Sequence, residues 1–137
     1  MTVLEAMKTY LSALPGLSGL QLEDLGRSPG DCCLRSLPGE QFLREYLTGA
    51  QLLRLQMELL LRGAGGSETD RQSCFQQTEE LMEALWQRTR RGDLPELGEG
   101  KRAFSLKLLE TAAPEVYQED GLLVDRITLE LRYFQEG

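Results

Sequence analysis

The side chains of this sequence that could perform acid–base chemistry are carboxylates, because the chain contains no histidine. Glu79, Glu80 and Glu83 are the candidates by spacing, and a general base among them would need a cleft that raises its pKa. They lie away from the apolar stripe of their predicted helix, so we interpret them as a solvated face. Cysteine or serine nucleophiles would also lack a histidine partner, and no GxSxG motif is present. The residue types therefore predict no catalytic site.

Metal and phosphate sites are equally poorly supported. Cys32, Cys33 and Cys74 are too few and too badly spaced for a zinc site or a disulfide framework, and adjacent residues of a strand point to opposite faces. We interpret all three as reduced, small hydrophobic residues. The glycine-rich segment 63–66 lacks the Lys-Ser/Thr pair of a phosphate-binding loop. We therefore expect neither a metal nor a cofactor.

The net charge of the chain argues against a nucleic-acid partner, and its short apolar runs argue against a membrane span. A net charge of −7 disfavours nucleic-acid binding, which depends on clustered cations. No apolar run is long enough to span a membrane. One local exception is "QRTRRG", residues 87–92, where Arg88, Arg90 and Arg91 are typical of a helix C-terminus or of an electrostatic contact with a protein partner.

Helical periodicity is clear in two segments of what we expect to be one domain, residues 1–137. The first follows a possible cap at Thr2 and ends at Pro15-Gly16. The second begins near Ser67, which resembles a capping residue with Asp70, and ends before Gly92. Its predicted buried face consists of Cys74, Phe75, Thr78, Leu81, Met82, Leu85 and Trp86.

Strand periodicity of two appears in the rest of the chain. Segments 20–25 and 31–37 suit short strands, and segments 103–110 and 122–137 suit a hairpin that turns at Glu119-Asp120-Gly121. Segment 50–62, "AQLLRLQMELLLR", is ambiguous, because its alternation favours a strand whereas its residue types favour a helix. We expect core packing for the aromatic residues Phe75, Trp86, Phe104, Tyr133 and Phe134.

Several segments together resemble a family of small prophage proteins of Gram-positive bacteria, known as phage minor capsid or tail-terminator-like proteins. The resemblance covers nearly the whole chain, and it is tightest in "LPELGEGK", residues 94–101, and "YFQEG", residues 133–137. In that family the segment matching residues 50–62 is a long strand, which favours the strand interpretation here. The implied fold class is α+β, an antiparallel β-sheet with two α-helices packed on one face.

The resemblance also implies a function without catalysis. Such proteins cap the tail tube, commonly as a six-fold ring, so the implied partners are further copies of this chain, the tail-tube protein and the head-connector protein. The implied locations are the bacterial cytoplasm during assembly and then the virion. The residues that we expect at a protein interface are Arg90, Arg91, Glu99, Lys101 and Arg102.

Three alternatives remain open at this point. A head–tail joining adaptor or head-completion protein would share the size, acidity and absence of an active site. A small binding module of another kind would show a peptide groove or an edge strand. An acetyltransferase-type enzyme is suggested by the name chloramphenicol resistance protein that some relatives carry, but the histidine base of that chemistry is missing here.

Overall fold

The computed structural model describes residues 2–39, 41–116 and 122–137, and within 110–116 it describes the backbone alone. Two helices and six strands form in these ranges. In chain order they are α1 (Val3–Ser12), β1 (Gln21–Leu22), β2 (Cys32–Ser36), β3 (Phe42–Glu45), β4 (Gln51–Ala64), α2 (Glu68–Arg90), β5 (Lys101–Val116) and β6 (Leu122–Gln135).

Both helices begin at the capping residues that the sequence predicts. The Thr2 hydroxyl accepts a hydrogen bond from the Glu5 N–H at 3.1 Å, and the Glu5 carboxylate accepts one from the Thr2 N–H at 3.4 Å. At α2 the Ser67 hydroxyl accepts from the Asp70 N–H at 3.1 Å. These contacts satisfy amide groups that have no partner within the first helical turn.

The ambiguous segment 50–62 is a strand, as the alternation and the resemblance predict. Leu55, Met57 and Leu59 of β4 are buried on one face, where each stabilises the fold by about 1.5–3 kcal/mol relative to an exposed side chain. Burial on one face thus outweighs the helical propensity of leucine and methionine, which is a weaker effect.

The six strands form one sheet in the order β1-β2-β4-β6-β5, and β3 pairs with the remaining part of the β4 edge. Strands β4 and β6 form the centre of the sheet, since other strands flank both of them. They pair antiparallel from Gln51 with Gln135 to Ala64 with Leu122. The β5–β6 hairpin is confirmed, whereas its predicted turn at 119–121 lies outside the described residues. All the strand pairs are antiparallel except β1 with β2, which pair in parallel over two residues.

Both helices pack on the same face of this sheet, which confirms the α+β class. The main core joins Met7 and Leu11 of α1 and Leu81 and Leu85 of α2 to the inward side chains of β2, β4 and β6. We call this side the covered face, and we call the other side, over which neither helix packs, the open face. Cys32 lies in the main core and Cys33 in a small cluster on the open face, as their adjacency predicts.

The predicted burial of the aromatic residues is correct for Tyr133, which is buried, and Phe134 is half buried. It is wrong for Phe75, Trp86 and Phe104, which are 48%, 52% and 56% exposed.

The physical reasons differ between the helix and the strand. The buried side of α2 is narrow and consists of Leu81 and Leu85, so Phe75 and Trp86 lie beyond its edge. Phe104 lies at a β-bulge between Ala103 and Ser105, and a bulge changes the face to which a side chain points.

Candidate interaction surfaces

The five residues predicted at an interface lie near one end of the molecule but on two different faces. Arg90 belongs to the helix layer, with its guanidinium 4.6 Å from the centre of the Trp86 ring, and Arg91 caps the C-terminus of α2. Lys101 begins β5, and Arg102 follows it on the open face, 5.7 Å from the centre of the Phe134 ring.

Glu99 lies in the exposed loop that connects the two groups. The loop crosses from the helix layer to the sheet, so the structure does not bring all five residues into one site.

This end of the molecule is built from three segments that are distant in sequence. The backbone N–H of Glu136 donates to the carbonyl of Gly100 at 2.8 Å, which joins the C-terminus to the loop 92–100. Gly49, in the turn between β3 and β4, lies against Gly137 so closely that a side chain at position 137 would collide with its backbone. We call the surface formed by residues 46–50, 92–101 and 135–137 the loop end.

An aromatic and arginine-rich surface adjoins the loop end on the open face. The rings of Phe104 and Phe134 meet edge-on with their centres 5.3 Å apart, and Tyr46 lies 6.2 Å from Phe134. The Arg44 guanidinium lies 5.3 Å from the Tyr46 ring centre, and Arg102 covers Phe134. We call these five residues the open-face patch. Exposed aromatic and arginine side chains of this kind are enriched at protein interfaces.

An ion pair network around the buried Glu130 lies beside this patch on the open face. Glu130 is 5% exposed and accepts hydrogen bonds from Arg132 at 3.3 Å and from Gln56 at 3.2 Å. Arg54 approaches the same carboxylate at 3.6 Å. Because a buried carboxylate requires such partners, the network fixes two arginines on the open face.

The outer side of α2 is a second exposed surface. Phe75, Glu79, Glu83 and Trp86 follow the spacing of one helical stripe and all four are exposed; we call them the α2 stripe. Glu80 is exposed beside them, as the solvated-face interpretation predicts for these glutamates. The sequence indicates this exposure, because Phe75 and Trp86 lie at helical spacing from Glu79 and Glu83 and not from leucines.

An apolar groove lies between α2 and the edge strand β5. Its apolar lining comes from Met82, Leu85, Trp86, Leu106 and Leu108. Leu108 is 39% exposed, and among the described strands only β6 pairs with β5, so the outer edge of β5 is open to solvent. The exposed side chain of Trp86 lies at this groove, next to the open edge of β5.

A smaller cavity of about 300 Å³ lies at the opposite end of α2. Within it Asp125 is 5% exposed, burial raises the pKa of its carboxyl group, and the Thr78 hydroxyl donates a hydrogen bond to it. Cys74 donates to the Ala64 carbonyl at 3.4 Å, and burial also raises the pKa of its thiol. A protonated thiol is a weak nucleophile, so this arrangement does not activate Cys74.

Within the described ranges no three cysteine, aspartate or glutamate side chains lie close enough together to hold a metal ion. Neither helix in these ranges is long and apolar enough to cross a bilayer.

Comparison with known proteins yields a distant structural likeness. No protein-family model matches the sequence, and no curated protein matches it. Among solved structures, a chain described as "Virion of native gene transfer agent (GTA) particle" is 14% identical, with a TM-score of 0.48 over 99% of this chain and 92% of that chain. A likeness this distant assigns no function to the present chain.

Proposed function

We propose that this chain is a non-enzymatic virion protein of a phage or prophage, a tail terminator that caps the tail tube and contacts the head connector. One observation carries the proposal beyond the sequence resemblance. The two segments in which the resemblance is tightest, 94–101 and 133–137, are far apart in sequence but adjoin at the loop end, where Lys101 pairs with Gln135 and Glu136 bonds to Gly100. The exposed residues of the two segments, such as Glu99 and Glu136, therefore lie at the same end of the molecule.

The physical requirement for capping a tube is asymmetric. Tube growth needs an exposed ring of subunits that recruits the next ring, so a cap must bind that ring on one side and offer no equivalent surface on the other. A closed ring of caps requires head-to-tail contacts between copies, in which two different surfaces of each copy meet. The present chain supports this requirement, because exposed aromatic side chains occur on both of its layers, Phe104 on the open face and Trp86 on α2.

The test is a tube-length assay. The tail-tube protein from the same genome region is polymerised with increasing amounts of this chain, and tube lengths are measured by electron microscopy. We expect substoichiometric protein to shorten the tubes and to label one end of each tube.

A matched variant examines the loop end. Glu99→Lys with Lys101→Glu preserves net charge and should weaken capping, whereas Glu23→Lys with Lys8→Glu, which also preserves net charge, should cap as the unmodified protein does. Unchanged tube lengths at saturating protein would overturn the terminator proposal, and binding to the head connector in that case would identify an adaptor.

A further inference from the structure

The open-face patch and the α2 stripe carry opposite charges although the whole chain is acidic. The patch presents Arg44 and Arg102, both exposed. The stripe presents Glu79 and Glu83, also exposed. Arg90 lies against Trp86 at one end of the stripe, but the centre of the stripe is acidic, so its carboxylates are opposite in sign to the arginines of the patch.

Tyr46 and Phe134 each have one face covered by an arginine, which disfavours their stacking on nucleic-acid bases. Base stacking needs the flat face of an aromatic ring. Arg44 lies over Tyr46, Arg102 lies over Phe134, and Phe104 meets Phe134 with its edge. Guanidinium groups in these positions present donors that suit the carboxylates of a protein partner.

The stripe is about as long as the patch is wide. Arg44 on β3 and Arg102 on β5 are separated by three strand spacings across β4 and β6, which is about 14 Å. Phe75 and Trp86 are separated by three turns of α2, which is about 16 Å along the helix axis. A helix laid across the strands would thus extend over the full width of the patch.

We propose that the α2 stripe of one copy of this chain docks across the open-face patch of the next copy. This proposal rests on the terminator function, for which it names the contact that joins neighbouring subunits of the ring. The carboxylates of Glu79 and Glu83, about 6 Å apart along the helix, lie between Arg44 and Arg102 and pair with their guanidinium groups, while Trp86 at one end of the stripe covers the exposed ring of Phe104.

The contact is head-to-tail, because the patch and the stripe are different surfaces on opposite layers of the molecule. Each copy therefore keeps one free patch and one free stripe after the first contact. Such contacts produce a closed ring when the rotation between copies closes, and an open filament when it does not.

The first experiment exchanges charges between the surfaces. One variant carries Glu79→Arg and Glu83→Arg, the second carries Arg44→Glu and Arg102→Glu, and the mass of each is measured by light scattering over a concentration series. Each variant alone juxtaposes like charges, so we expect self-association to weaken at least 10-fold. An equimolar mixture restores opposite charges at every contact and should recover the mass of the unmodified assembly.

A control pair and a second readout complete the design. Glu23→Arg with Asp24→Arg changes the net charge by the same amount as the first variant, at exposed residues near β1, and should leave association unchanged. Trp86 is the only tryptophan of the chain, so its fluorescence reports on the stripe directly. We expect its emission to shift to shorter wavelength and its quenching by iodide to fall as the unmodified protein associates.

The outcomes separate this proposal from the terminator function. The proposed contact is overturned if association persists in both charge variants, or if their mixture does not recover the mass of the unmodified assembly. It is also overturned if the unmodified chain stays monomeric and Trp86 stays exposed. The tube-length assay decides the function independently, since a chain that shortens tubes despite any of these results remains a terminator with a different subunit contact.

Discussion

The covered and open faces of the sheet solve the problem of a buried carboxylate in different ways. On the open face Glu130 is surrounded by Arg54, Arg132 and Gln56. On the covered face Asp125 accepts a hydrogen bond from the neutral hydroxyl of Thr78, and burial raises the pKa of the Asp125 carboxyl group. The covered face thus places its carboxylate beside a neutral hydroxyl at the apolar core, whereas the open face surrounds its carboxylate with two guanidinium groups.

The largest effect should come from the apolar side of β6. Leu129 is 0% exposed in the main core, and Leu129→Ala should lower the free energy of unfolding by about 2–5 kcal/mol because it leaves a cavity. The neighbouring Thr128 points to the open face, and Thr128→Ala should cost less than about 1 kcal/mol. Urea unfolding of both variants measures the difference. Equal losses would show that the two faces contribute alike to stability.

A smaller effect is expected from the charge network of the open face. Glu130→Gln keeps the shape of the side chain but weakens its hydrogen bond from Arg132 and removes its ion pair with Arg54, so we expect a loss of about 1–2 kcal/mol. Glu99→Gln, at an exposed loop position, serves as the control for loss of one negative charge. Urea unfolding should show a loss for Glu130→Gln alone. If both variants match the unmodified protein, the buried network contributes nothing to stability.

The smallest effect concerns pH and Asp125. Because burial raises the folded-state pKa above its ordinary value of 3.8, the group contributes stability below that value, and this contribution is lost as the pH rises through the folded-state pKa. The free energy of unfolding of the unmodified protein, measured relative to that of Asp125→Asn, should therefore decrease as the pH is raised from 4 towards 8, with a slope of at most about 1.4 kcal/mol per pH unit. A difference that rises with pH would contradict the assigned cause.

Much of the fold could be predicted from local patterns. The alternation of Leu55, Met57 and Leu59 fixes which side of β4 is buried, and the polar residues Thr2 and Ser67 mark the starts of both helices. These signals depend on neighbours in the sequence, so they can be read without tertiary information.

The candidate surfaces depend on tertiary structure and were harder to predict. Phe104 reaches the open face through a bulge whose position is set by pairing with β6. The spacing of Phe75 and Trp86 extends the predicted apolar face of α2, but only Leu81 and Leu85 of that helix are buried by the sheet. Likewise, nothing in the spacing of Arg90 and Arg102 indicates that the loop between them crosses from one layer to the other.

The pairing of β4 with β6 has a kinetic consequence. Its partners, from Gln51 with Gln135 to Ala64 with Leu122, are separated by roughly 60 to 85 sequence positions, so closing this pair costs much chain entropy before any contact rewards it. The β5–β6 hairpin is far more local and should form earlier. During synthesis β4 emerges long before β6, so β2 and β3 can pair with one edge of β4 while its other edge stays open until β6 is made.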